Sequence, residues 1–99
     1  MLPLPAAPER HVHHLFVVRS ERRDELQRHL LNREIECLSH YPVPVHLQTP
    51  TKDLRRDPAG LAETERHARQ CLSIPCHPYL RPDEVSAVIH AMNSFAASA

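Results

Sequence analysis

Residues 39–48, with the sequence SHYPVPVHLQ, carry the densest set of side chains suited to binding chemistry. Two prolines fix their own φ at about −65° and favour extended backbone in the residues before them, so we expect a stiff loop. This loop would aim two imidazoles, a phenol and an amide, none permanently charged at neutral pH: His40, Tyr41, His46 and Gln48. These groups favour a polar, oxygen-rich ligand over a polyanion. The alternative is a proline-rich connection whose polar groups face water.

Zinc binding is a second chemistry to consider, because the ligand types are present in Cys71, Cys76, His77 and His46. The closely paired spacing of a structural zinc site is missing, so we expect buried or inert thiols and no metal. A nucleophilic pair of Cys76 with His77 is also disfavoured, because adjacent residues of an extended chain point in opposite directions.

The length of 99 residues predicts one domain, which buries about 60 to 70% of the surface that its unfolded chain exposes. Twelve basic residues balance 12 acidic ones, which gives no electrostatic reason to expect nucleic-acid binding. The three cysteines cannot all pair, and we expect thiols in a reducing compartment.

Targeting signals are not evident at the start of the sequence. Residues 1–5 have neither a basic region nor an uninterrupted apolar run, so we predict no signal peptide. The longest aliphatic and aromatic run covers residues 15–18, whereas a membrane span needs roughly 20 residues. We therefore expect a cytoplasmic protein with no membrane partner.

The first half of the chain predicts an extended lead-in over residues 1–10, a strand over 11–19 and a helix over 21–32. Ser20 is the expected N-cap of the helix. The expected buried stripe of this helix consists of Leu26, Leu30 and Leu31.

A second strand is predicted over residues 34–38, with Ile35 and Cys37 on one face. The turn from the helix into this strand favours a left-handed residue, usually glycine. Since the chain has no glycine there, we expect Asn32 to take that conformation.

The second half predicts a polar loop over residues 49–59, a helix over 58–70, a third short strand over 71–74 and a final helix beginning at Pro82. The final helix carries the most regular apolar stripe, which we assign to the core without a chemical role: Val85, Val88, Ile89, Met92 and Phe95. This order predicts an α+β domain over residues 11–97, with a small, mostly antiparallel sheet of about three strands packed with three helices.

The same order resembles the C-terminal small domain of the DegT/DnrJ/StrS family of sugar or cyclitol aminotransferases, which have fold type I. The resemblance covers residues 9–96 and rests on HVHHLFVVR, HYPVPVHLQ and CLSIPCHPYL, followed by a helix that starts at PDEV. It is most specific in residues 40–48 and 72–78. Family members commonly have Gly-Ile where this chain has Glu34 and Ile35, and often Leu-Pro where it has Ile74 and Pro75.

The resemblance implies pyridoxal phosphate chemistry on nucleotide-linked keto sugars or keto cyclitols in full-length members. It implies that residues 40–48 approach the substrate side, so His40, Tyr41, His46 and Gln48 are our candidate substrate-binding residues. The alternative is that they only pack the loop against a large domain. The Schiff-base lysine and the cofactor cradle belong to that large domain in the family. Lys52 is the only lysine here and lies in the polar loop, so we expect no catalytic residue and no cofactor in this chain alone.

Three hypotheses for function follow. The chain is a fragment or split subunit that completes an aminotransferase by partnering its large domain or subunit, and then helps to bind a sugar-nucleotide or cyclitol substrate. Alternatively, it is an interaction module that binds an aminotransferase subunit through an open sheet face. In the third hypothesis the chain is a decayed remnant. The missing turn glycine and the truncated proline-rich start favour this hypothesis.

Overall fold

The computed structural model describes residues 12–98, so the predicted lead-in lies outside the described residues. These residues form three α-helices and a two-stranded antiparallel sheet, which confirms the predicted α+β class. In chain order the elements are β1 (Phe16–Arg19), α1 (Arg23–Leu31), 3₁₀ turns at Val45–Leu47 and Thr49–Thr51, α2 (Ala62–Gln70), β2 (Cys71–Ile74) and α3 (Pro82–Ala97).

The sheet pairs β1 with β2 along their full length, from Phe16 opposite Ile74 to Arg19 opposite Cys71. Residue 11, where we predicted that the first strand begins, lies outside the described residues. The prediction is wrong for residues 12–15, which precede β1. They are not part of the strand, because β2 offers no partner beyond Ile74. Pro75 follows directly and has no N–H to donate to a ladder.

The predicted strand over residues 34–38 is also wrong, since only Leu38 pairs with β2, through an isolated bridge to Ser73. The backbone groups before Leu38 are used elsewhere. The Ile35 N–H donates to the Leu30 carbonyl at the end of α1 over 3.0 Å, and the Gln27 side chain donates to the Cys37 carbonyl over 2.7 Å. Closing the helix end therefore competes with extending the sheet.

The ends of α1 differ from the prediction at both sides. The helix begins at Arg23, and the Ser20 hydroxyl accepts a hydrogen bond from the Arg22 N–H over 3.1 Å, ahead of the first helical residue. At the other end Asn32 is right-handed, with φ −63°. The left-handed residue is Glu34 instead, with φ 60°. The turn closes where the Ile35 N–H donates to the Leu30 carbonyl, so the left-handed position falls two residues later than we predicted.

The second helix starts at Ala62, four residues later than residue 58. The Asp57 carboxylate accepts from the Ala59 N–H over 2.8 Å, and the Asp57 carbonyl accepts from the Gly60 N–H over 3.0 Å. Gly60 has φ 77°, which a helix cannot include. A separate turn therefore precedes α2.

The core lies where α1 and α3 pack on each other and on β2. The prediction that Leu31 is buried is wrong, since 58% of it is exposed, and Val85 and Ile89 are exposed as well. The nine residues of α1 are too few to cover the 16 residues of α3, so the N-terminal half of α3 is left partly open. The buried cluster comprises Val18, Leu26, Leu30, Cys37, Leu72, Ala91, Met92 and Phe95, with Val88 packed against it.

Within residues 12–98 none of the helices is long and apolar enough to cross a membrane.

Candidate functional site

A groove of about 650 Å³ runs along the outer edge of β2. One wall comes from α1 and the other from the segment that leads through Leu38 to His40. The residues that line it are His14, Leu15, Gln27, Arg28, Leu31, Glu36, Cys37, Leu38, His40, Ser73, Ile74, Pro75 and Cys76. Arg28 and Glu36 carry opposite charges, so the groove has no strong preference for a polyanion or a polycation.

His40 is the one predicted site residue that lines this groove. Its ring nitrogen Nδ1 lies 2.8 Å from the hydroxyl oxygen of Ser73, which is buried in β2. Tyr41 follows with 72% of its surface exposed, and its ring meets the His40 ring edge-on, with the centroids 5.2 Å apart. The rings of His40 and Tyr41 are therefore in contact, and of the two residues only His40 lines the groove.

His46 and Gln48 brace the loop through other partners. His46 Nε2 lies 2.9 Å from the Glu65 carboxylate on α2. The Gln48 side-chain amide donates to the Val43 carbonyl over 3.1 Å. The Thr51 hydroxyl donates to the Gln48 carbonyl over 2.9 Å and to the carbonyl of Val45. The four predicted residues thus form two groups: the rings of His40 and Tyr41 contact each other, and His46 and Gln48 brace the loop.

Arg23 anchors the start of the loop, and sequence reasoning missed it. Its Nη1 donates to the Ser39 hydroxyl over 3.0 Å and to the carbonyls of Ala68 and Cys71 over 3.1 Å each. The guanidinium thus joins α1, the loop, and the junction of α2 with β2. These partners lie 16 to 48 positions away in sequence, so no local pattern around Arg23 indicates them.

Cys37 lies in the groove wall as a buried thiol, and burial raises its pKa to about 11. A thiol with so high a pKa is a poor nucleophile at neutral pH, since the thiolate is the reactive form. All three cysteines of the chain are free.

The four zinc-ligand candidates are held by other partners. His46 contacts Glu65, and His77 Nδ1 accepts from the Tyr79 N–H over 3.2 Å. The buried Cys71 thiol faces the Ala68 carbonyl, and the Cys76 thiol faces the His13 carbonyl over 4.0 Å. Across residues 12–98 there is no group of three His, Cys, Asp or Glu side chains placed to hold a metal ion.

The fold and groove together define a small α+β domain that offers neutral hydrogen-bonding groups beside a sheet edge. The chain belongs to the DegT/DnrJ/EryC1/StrS aminotransferase family, whose sequence model matches residues 1–93. This membership confirms the resemblance drawn from the sequence.

Relatives named as transaminases of dTDP-linked sugars are much longer than this chain. Over 96 residues it is 47% identical to a dTDP-3-amino-3,4,6-trideoxy-alpha-D-glucose transaminase of Streptomyces venezuelae, covering 96% of this chain and 25% of that protein. It is 33% identical over 94 residues to a dTDP-3-amino-3,6-dideoxy-alpha-D-galactopyranose transaminase of Aneurinibacillus thermoaerophilus, covering 95% and 25%. The chain thus spans about a quarter of the length of these relatives.

A solved structure supports the same relationship. The crystal structure of S. venezuelae DesV in complex with a ketimine intermediate superimposes with a TM-score of 0.78 at 46% identity. The superposition covers 84% of this chain and 22% of that one.

Pyridoxal phosphate is implied for full-length family members, but the residues described here do not fit it. The cofactor needs a lysine whose amine is desolvated or otherwise activated. Lys52 is the only lysine in the sequence. It is exposed in the turn after Thr49–Thr51, where its carbonyl accepts from the Arg56 side chain over 3.4 Å.

Proposed function

We propose that these residues form the small domain of a pyridoxal-phosphate-dependent aminotransferase that acts on a nucleotide-linked keto sugar or keto cyclitol. The lysine and the cofactor cradle come from a large domain outside these 99 residues, whether as part of the same protein or as a separate subunit. The chain alone is not catalytic, and its setting is the cytoplasm. The observation that carries this proposal is the 47% identity to a sugar transaminase over 96% of the chain.

The contacting pair of His40 and Tyr41 supports this substrate class. His40 and Tyr41 offer an imidazole and a phenol, which hydrogen-bond to hydroxyl and carbonyl oxygens without requiring a charged ligand. Two relatives carry names that specify dTDP-linked amino sugars. A dTDP-linked keto sugar is therefore the first substrate to test.

The alternative is an interaction module that binds an aminotransferase subunit without contributing to its site. The exposed apolar side chains of Leu31, Leu38, Val85 and Ile89 favour this alternative, because they leave apolar surface open to a partner. On this view, substitutions at His40 and Tyr41 would leave the partner's activity unchanged.

A chimeric enzyme separates these two functions. The matching quarter of the S. venezuelae transaminase is replaced by this chain, and transamination of a dTDP-linked keto sugar is measured. We expect an active enzyme. Tyr41→Phe and His40→Gln are expected to lower kcat/KM about threefold to tenfold each, the effect of losing one hydrogen bond to the substrate.

Tyr79→Phe is the matched control, because Tyr79 is 86% exposed in the turn before α3, whereas the ring of Tyr41 contacts His40 in the groove wall. It is expected to leave kcat/KM unchanged. A folded, cofactor-loaded chimera with no activity would contradict the proposed function. An active chimera that tolerates the substitutions at both His40 and Tyr41 would favour the interaction module.

A further inference from the structure

Ser73 is fixed in the sheet on the side that faces the groove. Its N–H donates to the Leu38 carbonyl over 2.7 Å, and its carbonyl accepts from the Leu38 N–H over 3.3 Å. The residue is buried, with 7% of its surface exposed. The backbone that carries its hydroxyl is therefore fixed in position, and the hydroxyl has little access to water.

The Ser73 hydroxyl has one hydrogen-bonding partner among residues 12–98, the Nδ1 atom of His40 at 2.8 Å. Two arrangements satisfy this distance, since either atom can hold the proton between them. If Nδ1–H donated to Ser73, the buried hydroxyl proton would have no acceptor. If the hydroxyl donates, both groups are satisfied, and leaving a buried donor unpaired is the costlier choice.

We propose that Ser73 is a positioning residue that holds neutral His40 with its proton on Nε2. In that tautomer Nδ1 accepts from Ser73 and Nε2–H is a donor. His40 lines the groove, and Nε2 has no partner within the described part of the chain. The groove therefore offers a donor to an acceptor oxygen of the ligand, such as a carbonyl, hydroxyl or phosphate oxygen.

The two residues that lead to His40 are held by hydrogen bonds. Leu38 is tied to Ser73 through two backbone hydrogen bonds. Ser39 is held by the Arg23 guanidinium and lies 3.3 Å from the Cys71 carbonyl. His40 thus follows two residues anchored on β2, and its Nδ1 atom contacts Ser73, which is also the anchor of Leu38.

The identity of the ligand as an aminotransferase substrate rests on the proposed function, but the tautomer does not. Long-range ¹H–¹⁵N correlation spectra of the 99-residue chain, labelled with ¹⁵N-histidine, measure it without substrate. At pH 8 an ordinary imidazole is neutral. We expect His40 Nδ1 to show the shift of an unprotonated nitrogen and Nε2 the shift of a protonated one.

His67 is the internal control, since its side chain is exposed on α2, and its two nitrogen shifts are expected to be averaged between tautomers. A His40 spectrum with the proton on Nδ1, or averaged like that of His67, would overturn the proposal. This measurement needs no variant, and it stands whether or not the chimeric enzyme is active.

Two substitutions test whether Ser73 is the cause. Ser73→Ala removes the hydroxyl and is expected to collapse the separation between the two His40 nitrogen shifts towards the averaged pattern. Ser73→Thr keeps a hydroxyl on a residue type suited to strands and is expected to preserve the separation. A purely structural role for Ser73 predicts lower stability in Ser73→Ala with an unchanged His40 tautomer, and that result would also overturn the proposal.

Discussion

His46 Nε2 lies 2.9 Å from Glu65 Oε1 and joins the proline-rich loop to α2 across 19 positions of sequence. The His46 side chain is 15% exposed, so this contact is partly shielded from water. Together with the contact between Arg23 and Ser39, it holds the loop at both ends. His40 and Tyr41 lie within the segment between these two contacts.

Glu65→Ala is expected to loosen the loop, because it removes the partner of His46. Amide hydrogen exchange at Leu47 and Gln48, whose N–H groups close the 3₁₀ turn, should become faster. The free energy of unfolding should fall by about 0.5 to 1.5 kcal/mol, as for a typical hydrogen bond. Glu63→Ala is the control, since Glu63 is exposed and its ion-pair partner among residues 12–98 is Arg66 on the same helix. Equal exchange in both variants would show that the contact does not restrain the loop.

Leu30→Ala and Leu31→Ala form a matched pair of neighbouring leucines in α1. Leu30 is fully buried, whereas 58% of Leu31 is exposed. Truncating Leu30 should lower the free energy of unfolding by about 2 to 5 kcal/mol through lost burial and a cavity. Truncating Leu31 should change it by about 0.5 kcal/mol or less. Chemical denaturation of both variants measures the difference, and similar losses would mean that α1 packs with another face.

Glu34→Gly is expected to stabilise the chain by up to about 1 kcal/mol. A left-handed residue other than glycine costs about 1 to 2 kcal/mol, and glycine's greater freedom in the unfolded state offsets part of the gain. Asn32→Gly is the control and should be destabilising, because Asn32 is right-handed. Thermal denaturation decides between the two sites. If Asn32→Gly were the stabilising change, the turn would be built as the sequence alone suggested.

Because the Cys37 thiol is buried, we expect the free energy of unfolding to fall at alkaline pH. Its pKa in the folded chain is about 11, raised by burial from an ordinary value of 9.0. Below pH 9 the thiol is neutral in both states, and its contribution is fully present. Between pH 9 and 11 the unfolded thiol ionises while the folded one does not, so the free energy of unfolding falls as pH rises.

Cys37→Ala tests this dependence by the slope of stability against pH rather than by its absolute value. Urea denaturation at pH 8 and pH 10 should show a steeper decrease for the unaltered chain than for the variant. The difference should not exceed about 1.4 kcal/mol per pH unit. Parallel slopes would mean that Cys37 ionises as easily in the folded chain as in the unfolded one.

Local patterns in the sequence predicted the helices and the α+β class, because propensity and apolar spacing act within a few residues. They failed where distant groups compete for the same backbone. Ile35 supports the end of α1 instead of a strand, and this choice depends on how the chain closes after Glu34. Apolar spacing also placed Leu31 in the core, although the length of α3 relative to α1 decides which side chains are covered.

At the candidate site, too, local features could be predicted from the sequence and contacts between distant residues could not. Proline spacing indicated a stiff loop, and the residue types indicated hydrogen-bonding chemistry. The pairing of His46 with Glu65 and of His40 with Ser73 depends on the packing of α2 and β2 around the loop. Arg23 and Ser73 carry no sequence signal for their roles, because their partners meet them only in the folded chain.

The most direct test is amide hydrogen exchange of the 99-residue chain with and without a lysine-bearing aminotransferase large domain from the same organism. We predict slow exchange in α1 and α3 of the chain alone, and added protection over residues 40–48 when the large domain is present. Fast exchange throughout the chain, unchanged by the large domain, would contradict the account and leave a decayed remnant.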